Sequence, residues 1–127
     1  MNSPTGELRE LTEQIIGCAM EVHRHLGPGL LEAAYEAALR LELAFQKVNF
    51  ERQKILPVEY KGRYIGNYRV DILVENKVVM QLKSVSHFDP VFSAQIMNYM
   101  RLGGFKVGLL VNFNSRLLRE GIKRFVL

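Results

Sequence analysis

The residues Tyr68-Arg69-Val70-Asp71 are followed, ten positions beyond the aspartate, by Gln81-Leu82-Lys83. A carboxylate on one strand, then an oxygen-bearing residue, one intervening residue and a lysine on the next, is a set that binds Mg²⁺ for phosphodiester hydrolysis. Mg²⁺ takes hard oxygen ligands and leans on carboxylates; a nearby lysine orients the attacking water and offsets phosphate charge. Gln81 departs from this chemistry. A carboxylate would suit its position, and the amide keeps one oxygen ligand while removing a negative charge. The expected result is a metal held weakly by Asp71, by the side-chain oxygen of Gln81 and by the backbone carbonyl of Leu82, with Mn²⁺ able to replace Mg²⁺.

The spacing makes a geometric demand. Directly opposite residues of an antiparallel pair point to the same face, and a one-residue slip reverses every side chain. A two-residue loop at Asn76-Lys77 would set Asp71 opposite Leu82 and send Gln81 and Lys83 to the other face. A three-residue loop, Glu75-Asn76-Lys77, pairs Val74 with Val78 and sets Asp71 opposite Gln81. The metal reading requires the odd-length loop or a bulge.

The elements that must carry these residues are readable from periodicity. Leu8, Leu11, Ile15, Cys18, Val22 and Leu26 recur at three and four residues, the stripe of an amphipathic helix, which Gly27-Pro28-Gly29 ends. A second helix is expected from about Leu30 to about Lys47, with Leu30, Ala34, Ala37, Leu41, Ala44 and Val48 on its apolar stripe. From Asn49 the pattern changes to β-branched and aromatic residues over Ile55–Tyr60, Tyr64–Val74 and Val78–Val85, broken by Lys61-Gly62-Arg63 and Glu75-Asn76-Lys77. Asp89-Pro90 marks a helix start, running to Leu102 and stopped by Gly103-Gly104. Residues 106–112 form a nearly continuous apolar strand, the kind buried on both faces. The tail from Ser115 reads as a short helix or turn and a last edge strand. No repeat, low-complexity tract or linker interrupts residues 1–127, which read as one domain.

Composition narrows the class. A chain of 127 residues, 48% hydrophobic and 24% charged, suits one compact globular domain. No apolar run approaches the roughly 20 residues of a membrane span. Residues 1–7 have neither the basic start nor the apolar core of a signal peptide. The lone Cys18 excludes an internal disulfide, fits a reducing cytoplasm and reads as a small buried hydrophobe rather than a nucleophile. Charge is lopsided. Residues 1–46 carry three Arg against seven Glu, a net −4, and residues 47–127 carry fourteen Lys and Arg against six acids, a net +8. A basic half that also holds the lysine motif suits a polyanion such as DNA or RNA.

Gly29-Leu30-Leu31-Glu32-Ala33-Ala34-Tyr35 resembles the signature of the GxxExxY protein family within the PD-(D/E)XK nuclease superfamily. The resemblance runs from Glu13-Gln14-Ile15-Ile16-Gly17 through Val22-His23-Arg24 and Leu26-Gly27-Pro28-Gly29 to Lys106-Val107-Gly108-Leu109-Leu110. It implies an α/β (α+β mixed) restriction-endonuclease-like core, a central mixed sheet flanked by helices, and Mg²⁺-dependent cleavage of DNA or RNA. By the same resemblance Glu32 is the acid of the first core helix, Asp71 the strand aspartate and Lys83 the motif lysine. Gln95 and Tyr99 match a QxxxY helix motif, Gln95 holding a water or phosphate and Tyr99 supporting it or closing the core. Glu32 then joins the metal directly or through water.

Duller readings stand beside these. Glu32 alone would be a solvated helix glutamate. Asp71, costly to bury in a strand, could instead form a structural salt bridge with Lys83. Gln95 and Tyr99 alone would be ordinary half-buried positions. His23 and His25 lack metal-like spacing, and His87 reads as a loop histidine near the cleft. Two functions remain: a metal-dependent nuclease with a weakened site, or a catalytically inactive nucleic-acid-binding or protein-interaction module on the same fold. A core this small also suits a homodimer gripping its substrate.

Overall fold

Five strands form a single mixed sheet in the order β1 (Phe50–Tyr60), β2 (Arg63–Val74), β3 (Val78–Lys83), β4 (Val107–Asn112) and β5 (Ile122–Val126). Neighbours pair antiparallel except β3 and β4, which run parallel and are joined through helix α3 (Pro90–Gly103). A parallel pair needs such a crossover. Helices α1 (Pro4–Leu26) and α2 (Glu32–Phe45) precede the sheet, and a short 3₁₀ turn (Leu118–Gly121) leads into β5. The computed structural model describes the backbone of residues 4–127 and the side chains from Leu8 onward, so the signal-peptide reading of residues 1–7 falls largely outside the described residues.

Two apolar layers sandwich the sheet. On one face Ile72, Val74, Val78, Met80, Leu82, Leu109 and Val111 pack against α1 and α2. On the other, Leu73, Val79 and Leu110 meet Ile96 and Met100 of α3. Every residue of β4 is buried, as its unbroken apolar run requires. In α1 the expected stripe is the buried one, with Leu11 only partly covered, Ala19 added and Leu26 left exposed at the end. Gly27 then turns left-handed (φ 65°) and closes the helix by donating to the His23 carbonyl at 2.7 Å.

Helix α2 corrects the sequence reading. It begins at Glu32 rather than Leu30, and its buried row is Tyr35, Leu39 and Leu43, flanked by Glu36. Leu30, Ala34, Ala37, Leu41 and Ala44 all face solvent; of the expected stripe only Val48, beyond the helix, is buried. Tyr35 stacks on Phe113 with ring centroids 4.5 Å apart. Its hydroxyl accepts from the Leu30 N–H at 3.1 Å and donates to the Gly27 carbonyl at 2.5 Å. The tyrosine of the Gly29-to-Tyr35 signature thus ties down the loop that delivers Glu32.

The remaining elements fall close to their expected places. Asp89 caps α3 by accepting from the Val91 N–H at 2.9 Å, and Gly104 (φ 73°) ends it. Strand β1 starts at Phe50, five residues before its expected start. Val74 pairs with Val78, so the β2–β3 loop has the three residues that the metal reading demands. Cys18 is buried and unpaired, and burial first, then Glu42, raises its thiol pKa, which suits packing and not nucleophilicity.

Candidate metal centre

The β2–β3 ladder runs from Val74↔Val78 to Ile72↔Met80 and then opens. Beyond that point side chains bridge the strands. The Asp71 N–H donates to Gln81 Oε1 at 2.8 Å, and the Leu82 N–H donates to Asp71 Oδ2 at 2.7 Å. Each backbone donor released by the opening is therefore satisfied by the side chain across the gap, as buried N–H groups must be. The N–H and C=O of one strand residue lie on the same edge, so the Leu82 carbonyl also faces this gap. The next residue faces the other way, with the Lys83 carbonyl accepting from the Phe113 N–H at 2.9 Å.

A cleft of about 290 Å³ opens at this point, lined by Glu32, Glu36, Arg52, Gln53, Asp71 and Leu82. It lies between α2 and the strands. Glu32 and Glu36 are one helical turn apart and share a face. Glu36 is the buried member: its carboxylate accepts from Gln53 Nε2 at 2.7 Å and from Arg52 at 3.4 Å, with Arg40 at 4.0 Å. Glu32 is exposed at the cleft mouth. Gln53 sits opposite Asp71, since Arg52 pairs with Ile72 and Lys54 with Val70, and its φ of 51° is left-handed. Such a conformation is strained for a long side chain and persists only when its surroundings impose it. Its hydrogen bond to Glu36 supplies that constraint.

Electrostatics single out Asp71. Burial pushes its carboxyl from the ordinary 3.8 up to about 6; the Leu82 N–H opposes that rise, Glu36 and Glu32 add to it, and Lys83 opposes it. No ion pair to Asp71 occurs among the described residues, so the salt bridge with Lys83 is not its explanation. The Lys83 ammonium instead rests over the Phe92 ring of α3, 4.5 Å from its centroid. Tyr99 approaches from the same helix: its ring lies 5.4 Å from that of Tyr68, and burial first, then the charge of Asp71, raises its phenol pKa. Asp71 thus stands in the strand gap with the α2 acids on one side and Lys83 and Tyr99 on the other. Gln95 is half-buried on α3 and does not line the cleft.

The donor set fits a hard divalent cation in part. Asp71 keeps Oδ1 out of its hydrogen bond to Leu82, Glu32 lines the mouth and forms no ion pair among the described residues, and the Leu82 carbonyl faces the gap. Gln81 differs from expectation: its oxygen is occupied by the Asp71 N–H and is not presented to the cleft. Among the described residues no three His, Cys, Asp or Glu side chains already close around one point. Sequence reasoning missed Glu36, Arg52 and Gln53. The signal available was position, because Glu36 lies four residues after Glu32 and Gln53 falls opposite Asp71 in the hairpin register.

A mixed sheet with helices on both faces, and a half-buried aspartate in an opened hairpin ahead of a strand lysine, defines a nuclease-like α/β domain. A family model described as the PD-(D/E)XK nuclease superfamily matches residues 9–125, and the chain belongs to that superfamily. No curated protein matches it.

Proposed function

We propose that this protein is a divalent-metal-dependent phosphodiesterase acting on DNA or RNA, with Mg²⁺ as its ion, Mn²⁺ as a substitute and a weakened grip on either. The observation that carries the reading is Asp71. A carboxylate held in a strand gap, desolvated and faced by further acids, is unfavourable in isolation and is relieved by a cation. Asp71, Glu32 and the Leu82 carbonyl would hold the ion, and Gln81 could join only by releasing the Asp71 N–H. Bound there, a divalent cation supplies Lewis-acid polarisation of the phosphate and a lowered pKa for its water. Lys83, whose ammonium rests over the Phe92 ring, would offset phosphate charge and orient the water by turning from that ring toward the gap. Tyr99, kept neutral by its surroundings, is suited to donate a hydrogen bond to a phosphate or water, which Gln95 supports.

Within the superfamily we assign the chain to the GxxExxY group on Gly29, Glu32 and Tyr35, and place it in the cytoplasm, where a free Cys18 is stable. No helix among the described residues is long and apolar enough to cross a membrane. Two copies acting together would suit a substrate longer than the cleft. The test is cleavage of labelled single- and double-stranded DNA and RNA in millimolar Mn²⁺. Asp71→Ala and Lys83→Ala are each expected to lose at least a hundredfold in rate; cleavage that survives Asp71→Ala would refute the reading. A second reading, a non-catalytic nucleic-acid-binding module, is favoured by one observation, the engagement of Gln81 with the Asp71 backbone. It requires tight metal-free binding and no cleavage of any substrate.

A further inference from the structure

Strand β3 covers only the last three residues of β2, from Ile72 to Val74. The rest of β1 and β2 continues as a two-stranded ribbon to the Lys61-Gly62 turn, both of whose residues have positive φ (50° and 79°). That turn type matches the strand twist. Two strands alone are marginal in water, and an exposed apolar ribbon invites unwanted pairing. Yet this one shows solvent Tyr60 (61% exposed), Tyr64 (64%), Ile65 (63%) and Tyr68 (48%). Residues 54–69 hold Lys54, Lys61, Arg63 and Arg69 against a single acid, Glu59, a net +3. Aromatic rings interleaved with cations suit a flexible polyanion with bases to stack.

The register assigns the faces. Leu56 lies opposite Tyr68, Val58 opposite Gly66 and Tyr60 opposite Arg63, so these six share one face; Leu56 packs against the α3 layer, which identifies it. A bulge at Ile65 sends Tyr64 to the other face, opposite Glu59. Tyr60 and Tyr68 are thus separated by four residues of strand, about 14 Å. Between them Val58, Gly66 and Tyr68 border a shallow cleft of about 160 Å³. Tyr68 meets Tyr99, and Tyr99 feels the charge of Asp71.

We infer that the β1–β2 ribbon is an arm for single-stranded nucleic acid, stacking bases on Tyr60 and Tyr68, holding phosphates with Lys61 and Arg63, and leading the strand past Tyr99 to Asp71. Single strands are the committed partner because the exposed ring faces, beside the Lys61 ammonium 5.4 Å from the Tyr60 centroid and the Tyr99 ring against Tyr68, can stack only on bases not already stacked in a duplex. The destination of the strand rests on the phosphodiesterase reading; the binding does not.

Binding is measured by fluorescence anisotropy in EDTA, with a labelled oligothymidylate of about 12 nucleotides and a duplex of the same length. The single strand is expected to bind at least tenfold tighter than the duplex. Tyr60→Ala should weaken it about tenfold while Tyr60→Phe does not, Arg63→Gln should weaken it and flatten its salt dependence, and Tyr64→Ala on the opposite face should leave it within twofold. Tyr60 is exposed, so its loss leaves the core intact. Duplex preference, or affinity indifferent to Tyr60→Ala, overturns the arm. So does a dimer in sedimentation that Tyr60→Ala dissociates and oligothymidylate does not, which makes the ribbon a self-interface. Ribbon binding that persists while Asp71 binds no metal supports the arm and removes the phosphodiesterase. Cleavage that persists with an unchanged Tyr60→Ala affinity does the reverse.

Discussion

The carboxyl of Asp71 and the amide of Gln81 face each other across opened strands, and each satisfies the other strand's backbone. Such reciprocity makes the pair structural as well as chemical. In metal-free protein the raised Asp71 pKa has a definite sign. Below the unfolded value of 3.8 the group is protonated in both states and contributes nothing. As pH rises towards about 6 the unfolded chain loses its proton first, so stability falls, by about 3 kcal/mol in total, and then levels off. Asp71→Asn keeps the acceptor for the Leu82 N–H and removes the charge. In EDTA at pH 7 it should stabilise the protein by about 1–3 kcal/mol against urea, with the gain vanishing near pH 4. A variant less stable than wild type at pH 7 would contradict the desolvated carboxylate. Gln81→Glu preserves an acceptor for the Asp71 N–H and adds an acid, so it should raise Mn²⁺ affinity about tenfold while lowering metal-free stability. Calorimetric titration with Mn²⁺ reads the first effect.

At the scale of elements, the hairpin was the most legible part. Its three-residue loop, one of two lengths open to the sequence, was selected by the metal reading, because only an odd-length loop or a bulge sets Asp71 opposite Gln81. Helix α2 was misread for an equally physical reason. Its sequence, Glu32-Ala33-Ala34-Tyr35-Glu36-Ala37-Ala38-Leu39, has small apolar residues on every side, so two stripes compete. The large side chains Tyr35, Leu39 and Leu43 fill the core and win, leaving Leu41 and Phe45 in solvent. That rotation carries Glu36 inward beside Asp71, which is why the stripe error and the missed glutamate have one cause. The engagement of Gln81 was illegible, since it depends on where the strands part rather than on which residues they contain. Tyr35→Phe keeps the stack on Phe113 but orphans the Leu30 N–H and Gly27 carbonyl partners. It should cost about 1–3 kcal/mol in urea unfolding, and a neutral result would mean that the Gly27–Leu31 loop is held by other means.

Across the molecule, acid and base are segregated: α1 and α2 carry the negative charge, and the strands with the tail carry the positive. The acids that face Asp71 come from the negative layer and the cations that would meet a polyanion come from the strands. Nucleic-acid affinity should therefore fall steeply with salt. With about four phosphates contacted on a single strand, raising salt from 50 to 200 mM should weaken binding by tens of fold. A salt-independent affinity would argue that contacts other than phosphate dominate.

The most direct measurement is Mn²⁺-induced paramagnetic broadening of amide signals in wild type, Asp71→Ala and Gln81→Glu. A metal site in the strand gap requires broadening centred on Asp71, Leu82 and Lys83, with Glu32 included, abolished in the first variant and stronger in the second. Broadening that is absent from wild type at millimolar Mn²⁺, or that persists in Asp71→Ala, would contradict it.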